Sequence, residues 1–264
     1  MRFGMLVAYD GRGYFGYVRQ PGMRTVESVL FDAISGCAGK LDLRKCRYRA
    51  ATRTDRGVSA LGQVVALDLS REVAEGEINS LLPEDVAVLS VREVRDVFNP
   101  RYHAVEKHYR YVCEVSDEFD AGTARRAGRL FEGRHDFRAF CRREPGRSTV
   151  SHVKRVIVRK IDCRLVMDFF ARSFLWQQVR RMSSAIIAAG LGNMHVGEIE
   201  GLLSEPGARG FPPADPDGLF LVGIRYRGIR FPPEDGARRR FLGYLERCDR
   251  LVCREMLEVL KNRF

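Results

Sequence analysis

The chain has 264 residues, of which 45% are hydrophobic and 30% charged. This is the composition of a globular protein that can bury a core as one large domain or as two of ordinary size. Lys and Arg total 45 against 34 acidic residues, and the net charge of +11 points to polyanionic partners, RNA foremost.

Membrane segments are not expected. No apolar run in the sequence approaches the roughly 20 residues that span a bilayer. No signal-peptide pattern follows Met1. We therefore expect a cytoplasmic protein with no membrane partner.

In the first half of the chain, strands alternate with a single strong helix. The helix is predicted over 26–37, where apolar residues recur at helical spacing and Thr25 is placed to act as the N-cap. Strands are predicted over 1–9, 47–51, 64–69 and 86–94, and Asn99-Pro100 marks a break.

The second half contains strands, helices and a long basic tail. Strands are predicted over 109–115 and 219–227, with a hairpin over 152–162 and 165–174, and helices over 125–143 (in part), 174–189 and 196–204. This mixture without strict βαβ alternation favours an α+β architecture. Beyond Pro233 the pattern predicts a basic amphipathic helix over about 234–262. Its basic face suits either solvent or RNA, and packing on the body with a solvated basic face is the favoured interpretation.

The seven cysteines give no sign of a metal site. They are scattered and contain no C-x-x-C pair, and the five histidines do not cluster with them. A zinc site normally needs four ligands with closer pairing. We expect reduced thiols without a special role. They are Cys37, Cys46, Cys113, Cys141, Cys163, Cys248 and Cys253.

Residues 11–16 spell G-x-G-x-x-G after a predicted strand. A dinucleotide site would need a helix to open at once and an acid about 20 residues further on. Instead Gln20-Pro21-Gly22 interrupts the segment, and Asp32 falls inside the predicted helix. The segment fits a flexible loop contacting RNA through Tyr14 and Arg19, or a structural turn.

Asp55 is the most informative position. It lies in a short R-T-D-x-G turn in which Gly57 lets the backbone reverse. Arg53 and Arg56 flank the acid, and nearby positive charge favours the ionised carboxylate that a nucleophile needs. A polar hairpin with solvated charges is the alternative from this segment alone.

Six blocks in the same order resemble the TruA family of tRNA pseudouridine synthases. The first is A-Y-D-G-R-G-Y-F-G-Y-V-R-Q at 8–20, the opening block, and the second is A-T-R-T-D-R-G-V-S-A-L-G-Q-V around Asp55. N-S-L-L-P-E-D-V-A-V at 79–88, K-H-Y-R-Y at 107–111, S-F-L-W-Q-Q-V-R at 173–180 and G-L-F-L-V at 218–222 follow. The sequence departs from the family pattern at Ser59 (usually His), Tyr17 (usually Trp) and Gln178 (usually Met).

The resemblance implies a role for each matching residue. Asp55 is the implied nucleophile and Arg180 its ion-pair partner, so both are candidate catalytic residues. Tyr109 is implied to stack on the uracil, and Arg53 to occupy the vacated space or to hold the flipped nucleotide. From the opening block we assign Tyr14, Arg19 and Gln20 to substrate binding.

The resemblance also implies the architecture and the substrate. The fold would have two α+β domains, 1–102 with the Asp motif and 103–264 with the Tyr, the Arg and the C-terminal helix, and a catalytic cleft between them. The family acts as a homodimer on the tRNA anticodon stem-loop at about positions 38–40, where the target base must be extruded. The isomerisation involves no redox change and adds no external atom, so neither a cofactor nor a metal is expected.

Two other functions are considered from the residues. A non-catalytic RNA-binding or RNA-folding protein would need only the basic charge and the aromatic residues, and the set Asp55, Tyr109 and Arg180 argues against it. A glycoside hydrolase would need a second carboxylate flanking the bond, and the sequence shows no acid in a comparable setting.

Overall fold

The computed structural model describes residues 1–39, 41–42, 45–204 and 210–263. The strands are β1 Arg2–Tyr9, β2 Arg49–Ala50, β3 Ser59–Asp68, β4 Val86–Glu93, β5 Ala104–Glu114, β6 Gly133–Asp136, β7 Val150–Ile161, β8 Arg164–Ala171 and β9 Leu219–Tyr226. The α-helices are α1 Val26–Ala38, α2 Glu75–Leu81, α3 Ala121–Leu130, α4 Gln178–Gly190, α5 Val196–Ser204, α6 Asp235–Glu246 and α7 Leu251–Arg263. Within the described residues, no helix is long and apolar enough to cross a membrane.

The first of two compact units combines both ends of the chain, Met1–Val105 and Phe220–Phe264. Its strands run in the order β4-β1-β3-β9, with β2 also paired to β3. β1 is antiparallel to both β3 and β4, and β9 runs parallel to β3. All eight residues of β1 are buried, as expected for a central strand covered on both faces.

The second unit is Glu106–Leu219. Its strands run in the order β5-β8-β7-β6, and each of these strands is antiparallel to its neighbour. Helix α3 packs on β7 and on α4. The α+β class expected from the sequence is confirmed, with mainly antiparallel strands and helices beside them.

Helix α1 is confirmed within one residue, and its start follows from local chemistry. The Thr25 side chain accepts a hydrogen bond from the Ser28 backbone N–H, and the Ser28 hydroxyl oxygen accepts one from the Thr25 N–H. This reciprocal arrangement satisfies two donors that a helix N-terminus leaves without intrahelical partners.

The prediction that the segment 125–143 is helical in part is confirmed. Helix α3 stops at Leu130, and the chain passes through Gly133 at φ +101°. It then forms β6, which pairs with β7, and a 3₁₀ turn over Arg138–Phe140. Glycine makes this left-handed step possible at little steric cost, and the strand then gains its hydrogen bonds from a distant partner.

The C-terminal tail forms two helices where one, over about 234–262, was predicted. Arg247 closes α6 and α7 begins at Leu251. Phe241, Leu245, Val252, Met256 and Leu260 are buried, so the tail packs on its own unit, the interpretation favoured from the sequence.

The residues from Phe220 onward belong to the first compact unit, not to the second. The cause is the parallel pairing of β9 with β3, in which Ser59 faces Phe220. The division by chain order into 1–102 and 103–264 therefore differs from the contact units in where residues 220–264 belong. As a statement about domains, it stays a prediction.

Candidate active site

Asp55 begins a tight turn, residues 55–58, that leads into β3. The Val58 N–H donates to the Asp55 carbonyl oxygen at 3.2 Å, and Gly57 has φ +83°. A positive φ at the third residue is what a type II turn requires, and glycine adopts it without strain. The backbone, rather than the carboxylate, closes this Asp55 turn, and the Asp55 side chain is partly exposed.

The opening block packs directly against the Asp55 turn. The Tyr17 N–H donates to the Thr54 carbonyl oxygen at 3.1 Å. A Cβ on Gly11 would lie 2.1 Å from the Val58 carbonyl oxygen, so only glycine permits this approach. The structure therefore favours the structural-turn interpretation of the G-x-G-x-x-G segment: its first glycine lets backbone approach backbone beside Asp55.

Two buried hydroxyl groups join the turn to its surroundings. The Tyr9 hydroxyl and Thr54 Oγ1 lie 2.8 Å apart in the core. Ser59 Oγ accepts from the Gly11 N–H at 3.0 Å. Thr54, directly before Asp55, is thus bonded to β1. Ser59, which stands where the family usually has His, is bonded to the opening block.

We expect Tyr9→Phe to reduce turnover without preventing folding. Losing the hydroxyl leaves Thr54 Oγ1, in a residue only 8% exposed, without this partner, at a cost of about 1 kcal/mol or more. A small displacement of the Asp55 turn should lower kcat by about tenfold to 100-fold. Single-turnover assays and thermal unfolding measure the two effects.

Tyr226→Phe is the matched control for this prediction. Tyr226 is also a buried tyrosine of the first unit, and its hydroxyl donates to the Pro100 carbonyl oxygen at 2.9 Å. It should lose similar stability and keep its kcat. Equal losses of kcat in the two variants would contradict a specific role for Tyr9 in placing the turn.

The three substrate-binding candidates of the opening block lie in different settings. Arg19 and Gln20 are exposed, as is Arg53 beside the turn. The Gln20 side chain donates to the Phe15 carbonyl oxygen at 2.8 Å, and the Arg19 guanidinium lies over the Phe31 ring.

Tyr14 does not fit the expected contact with RNA. Its side chain is only 1% exposed, and its hydroxyl donates to Asp85 Oδ1 at 2.8 Å. Arg24 covers the ring at 4.6 Å. Because both the ring and the hydroxyl are engaged inside the unit, we reassign Tyr14 to supporting the opening block.

Phe15 is a further candidate that the sequence pattern did not predict. Its side chain is 40% exposed, and the Arg56 guanidinium lies 4.4 Å from its ring centroid. A surface aromatic stacked by an arginine beside Asp55 is suited to contact a base. The Tyr-Phe pair in the glycine-rich segment was the available signal, since one of two adjacent aromatics often faces out.

In the second unit, the side chains of the K-H-Y-R-Y block alternate between the two faces of β5. Lys107, Tyr109 and Tyr111 are buried, whereas His108 and Arg110 point to the other face, as alternation along a strand requires. Tyr109 lies opposite Phe169 of β8, and its ring meets Phe174 edge-on at 5.5 Å between centroids.

On the opposite face of β5 from Tyr109, a charge cluster holds β5 to β8 and β7. Asp168 is 2% exposed. It accepts from His108 at 2.6 Å and from Arg110 at 2.8 Å, and pairs with Arg159 at 2.6 Å. Burial by itself would raise the pKa of Asp168, but the hydrogen bonds from His108 and Arg110 outweigh it and lower the pKa to about 2. The cluster therefore fixes the register of the strand that carries Tyr109.

This pKa gives a test of stability against pH. The folded pKa lies below the unfolded value of 3.8, so the stabilisation is complete above about pH 4 and is lost as the pH falls towards 2. Relative to Asp168→Asn, the wild type should be more stable by about 2 kcal/mol at pH 6, and the gap should shrink below pH 4. Denaturant unfolding from pH 6 down to pH 2.5 measures it.

Glu118→Gln, which removes an exposed carboxylate of the same unit, controls for charge. A stability gap between wild type and Asp168→Asn that stayed constant down to pH 2.5 would contradict the assignment.

Arg180 lies in the first turn of α4, on a backbone held from several sides. Its Nε donates to the Ala214 carbonyl oxygen at 2.9 Å, and the Ala214 N–H donates back to the Arg180 carbonyl oxygen at 3.0 Å. Gln177, the N-cap, has φ +60°, an unfavourable value for a residue with a side chain. Such strain is typical of functional sites.

The neighbours of Arg180 are structural. Arg181 is not an ordinary surface arginine, because its Nη1 donates to the Phe211 carbonyl oxygen and its Nη2 to Gln177 Oε1. Gln178, where the family usually has Met, accepts from the Leu175 N–H at 2.8 Å through Oε1. Both side chains shape the turn from which Arg180 projects.

Within each unit, the structure brings predicted residues close together. In the first unit the opening block and the Asp55 turn are in contact. In the second, Tyr109 contacts the segment before α4, and Tyr111 lies close enough to Arg180 for their charges to interact: burial raises the pKa of Tyr111 above its usual range, and the Arg180 guanidinium opposes that shift.

Comparison with known proteins identifies the family. Residues 127–227 match the family model described as tRNA pseudouridine synthase. The protein named tRNA pseudouridine synthase A from Thermococcus kodakarensis is 39% identical over 260 residues, which is 97% of each chain. The proteins of that name from Thermococcus onnurineus, 37% identical over 97% of each chain, and Pyrococcus abyssi, 40% identical over 91% of this chain and 90% of that one, are similar. The chain therefore belongs to the tRNA pseudouridine synthase A family.

Proposed function

We propose that this protein isomerises uridine to pseudouridine in tRNA, with Asp55 as the catalytic carboxylate. The observation that carries the proposal is the Asp55 turn, which β1 and the opening block support through backbone contacts and buried hydroxyls. Family membership over 97% of the chain supports the same reaction.

The reaction needs few chemical groups. The N1–C1′ bond of uridine breaks, the uracil turns, and C5 bonds to C1′ while the C5 proton leaves and N1 takes up a proton. Asp55 attacks the nucleotide or stabilises the cationic sugar that cleavage creates. Since no atom is added and no electron is transferred overall, the step proceeds without a cofactor.

Arg180 and Tyr109 complete the proposed catalytic set. In the active enzyme, the Arg180 guanidinium pairs with the Asp55 carboxylate and aims it at the nucleotide. Tyr109 stacks on the uracil, and its hydroxyl assists removal of the C5 proton. The bond from Nε to Ala214 and the register set by Asp168 limit the motion of these two side chains.

Base extrusion is assigned to the exposed residues beside Asp55. Arg53 is exposed two residues before the acid, where it can hold the flipped nucleotide or occupy the vacated space. Phe15 with Arg56 adds a stacking surface. We further propose that the target lies in the anticodon stem-loop at about positions 38–40, where flipping costs a few kcal/mol, and that the enzyme acts as a cytoplasmic homodimer.

Nucleotide-resolution mapping of pseudouridine tests the function. Unmodified tRNA transcripts are incubated with the purified protein and mapped by carbodiimide adduct formation and primer extension. New pseudouridine in the anticodon stem-loop is expected. Tight tRNA binding with no pseudouridine at any position would instead establish a non-catalytic RNA-binding protein.

A further inference from the structure

Two cysteines meet where the tail changes from α6 to α7. Cys248 follows the end of α6 and Cys253 lies in the first turn of α7, and their Sγ atoms are 2.6 Å apart. Sulfur atoms in ordinary van der Waals contact lie farther apart than this, and a disulfide needs little further approach. The sequence pattern predicts no role for these two thiols.

The surroundings of this thiol pair distinguish its two members. Cys248 is partly exposed, and Arg12 Nη2 donates to its Sγ at 3.1 Å. Cys253 is fully buried, and its Sγ lies 3.8 Å from Asp10 Oδ2. A partly exposed sulfur beside a cation is the setting of a reactive cysteine, so Cys248 is the sulfur that a reagent reaches first.

The site around these two thiols is poorly suited to a metal ion. Ligand atoms of Asp10, Cys248 and Cys253 do lie within 4.8 Å of one another. However, Asp10 Oδ2 already accepts from Arg12 at 2.5 Å and from Tyr244 at 2.7 Å. The Arg12 guanidinium thus supplies positive charge to this cluster, and structural zinc normally takes four ligands.

We propose that Cys248 and Cys253 form a reversible intramolecular disulfide by exchange with a low-molecular-weight disulfide such as oxidised glutathione. The Cys248 sulfur attacks one sulfur of the reagent, forming a mixed disulfide and releasing one small thiol. The Cys253 sulfur then attacks the Cys248 sulfur and releases the second small thiol. The two protein thiols lose two electrons and two protons. The small disulfide takes up these electrons and protons and becomes two small thiols.

The cross-link would stabilise the junction between the two tail helices. It joins the end of α6 to the first turn of α7, which reduces the set of conformations open to the unfolded tail. For a loop this short, in a chain of this size, we expect the oxidised protein to unfold about 4 °C higher than the reduced protein.

Peptide mapping of the full chain tests the proposal directly. The protein is incubated with oxidised glutathione, denatured, alkylated with iodoacetamide and cut with trypsin. Since Arg247, Arg250 and Arg254 flank and separate the two cysteines, trypsin leaves them on peptides 248–250 and 251–254. We expect these peptides to remain joined until a reductant is added, and intact mass to show two fewer alkyl groups.

Single substitutions test the order of attack. In Cys253→Ser, glutathione should stay on Cys248 as a stable mixed disulfide, whereas Cys248→Ser should acquire neither the link nor the higher unfolding temperature. Cys163→Ser, which removes an exposed thiol of the second unit, should behave as the wild type.

Three results would overturn the proposal. The first is that both thiols of the wild type remain open to alkylation after treatment, and the second is that glutathione stays on wild-type Cys248. The third is that one equivalent of zinc, measured by equilibrium dialysis with zinc chloride, binds the reduced wild type but not Cys248→Ser.

Discussion

Asp55→Asn is expected to form pseudouridine at least about 1,000-fold more slowly than the wild type while binding tRNA almost equally well. The amide has nearly the shape of the carboxylate but lacks the negative charge that attacks the nucleotide or stabilises the sugar cation. The turn itself should persist, since its closing hydrogen bond joins the Asp55 carbonyl to the Val58 N–H. Release of tritium from tRNA labelled at uracil C5 measures the rate in a single turnover.

Asp32→Asn is the matched control for charge, because Asp32 is an exposed acid of α1 in the same unit. It should release tritium at the wild-type rate. Asp55→Ala should be as inactive as Asp55→Asn, with an unfolding temperature close to that of the wild type. Normal release from a folded Asp55→Ala protein would falsify the assignment of Asp55.

The Asp55 turn could be predicted because its causes are local. An Arg-Thr-Asp-x-Gly segment specifies a glycine at positive φ and an acid at its start within a few residues of chain. Helix α1 was predictable for the same reason, since its apolar spacing and the Thr25 cap are both written in consecutive residues. Neither feature depends on a partner far along the chain.

The sequence predicts less where distant partners decide the outcome. Tyr14 was expected to face RNA, but Asp85, 71 residues away in sequence, draws its hydroxyl inward. Which part of 125–143 leaves the helix was not predicted, because β6 gains its strand pairing from β7, farther along the chain. Phe15 became a candidate only once the packing of the opening block showed which aromatic stays outside.

The thiol pair shows how one error can conceal a site. In a continuous helix, residues five apart point about 140° away from each other, so the single helix predicted over 234–262 separates Cys248 from Cys253. The break before Leu251 redirects the chain and brings the two sulfurs together. No periodicity of the sequence contains that information.

Arg180→Ala should lower the rate of pseudouridine formation in bound tRNA by about 100-fold. This loss is typical when one preorganised electrostatic partner is removed. Under the proposed mechanism, the guanidinium orients the Asp55 carboxylate. Its absence leaves the nucleophile misaligned. The affinity for tRNA should change little, since Arg180 is one of 45 basic residues and phosphate contacts are spread over many of them.

Arg180→Lys distinguishes charge from geometry. Lysine keeps one positive charge but loses the planar fork and the Nε donor that now bonds the Ala214 carbonyl at 2.9 Å. If orientation is the main role, Arg180→Lys should resemble Arg180→Ala in rate. If charge alone suffices, Arg180→Lys should recover most of the activity, and the proposal that Arg180 orients the carboxylate would be wrong.

Arg129→Ala controls for the loss of an arginine from the same unit, since Arg129 is exposed in α3. It should keep the wild-type rate at saturating enzyme. Rates measured with tRNA fully bound separate turnover from affinity in all three variants. If Arg180→Ala weakened tRNA binding strongly yet converted bound tRNA at the normal rate, Arg180 would be a substrate-binding residue and the proposed clamp on Asp55 would have to be abandoned.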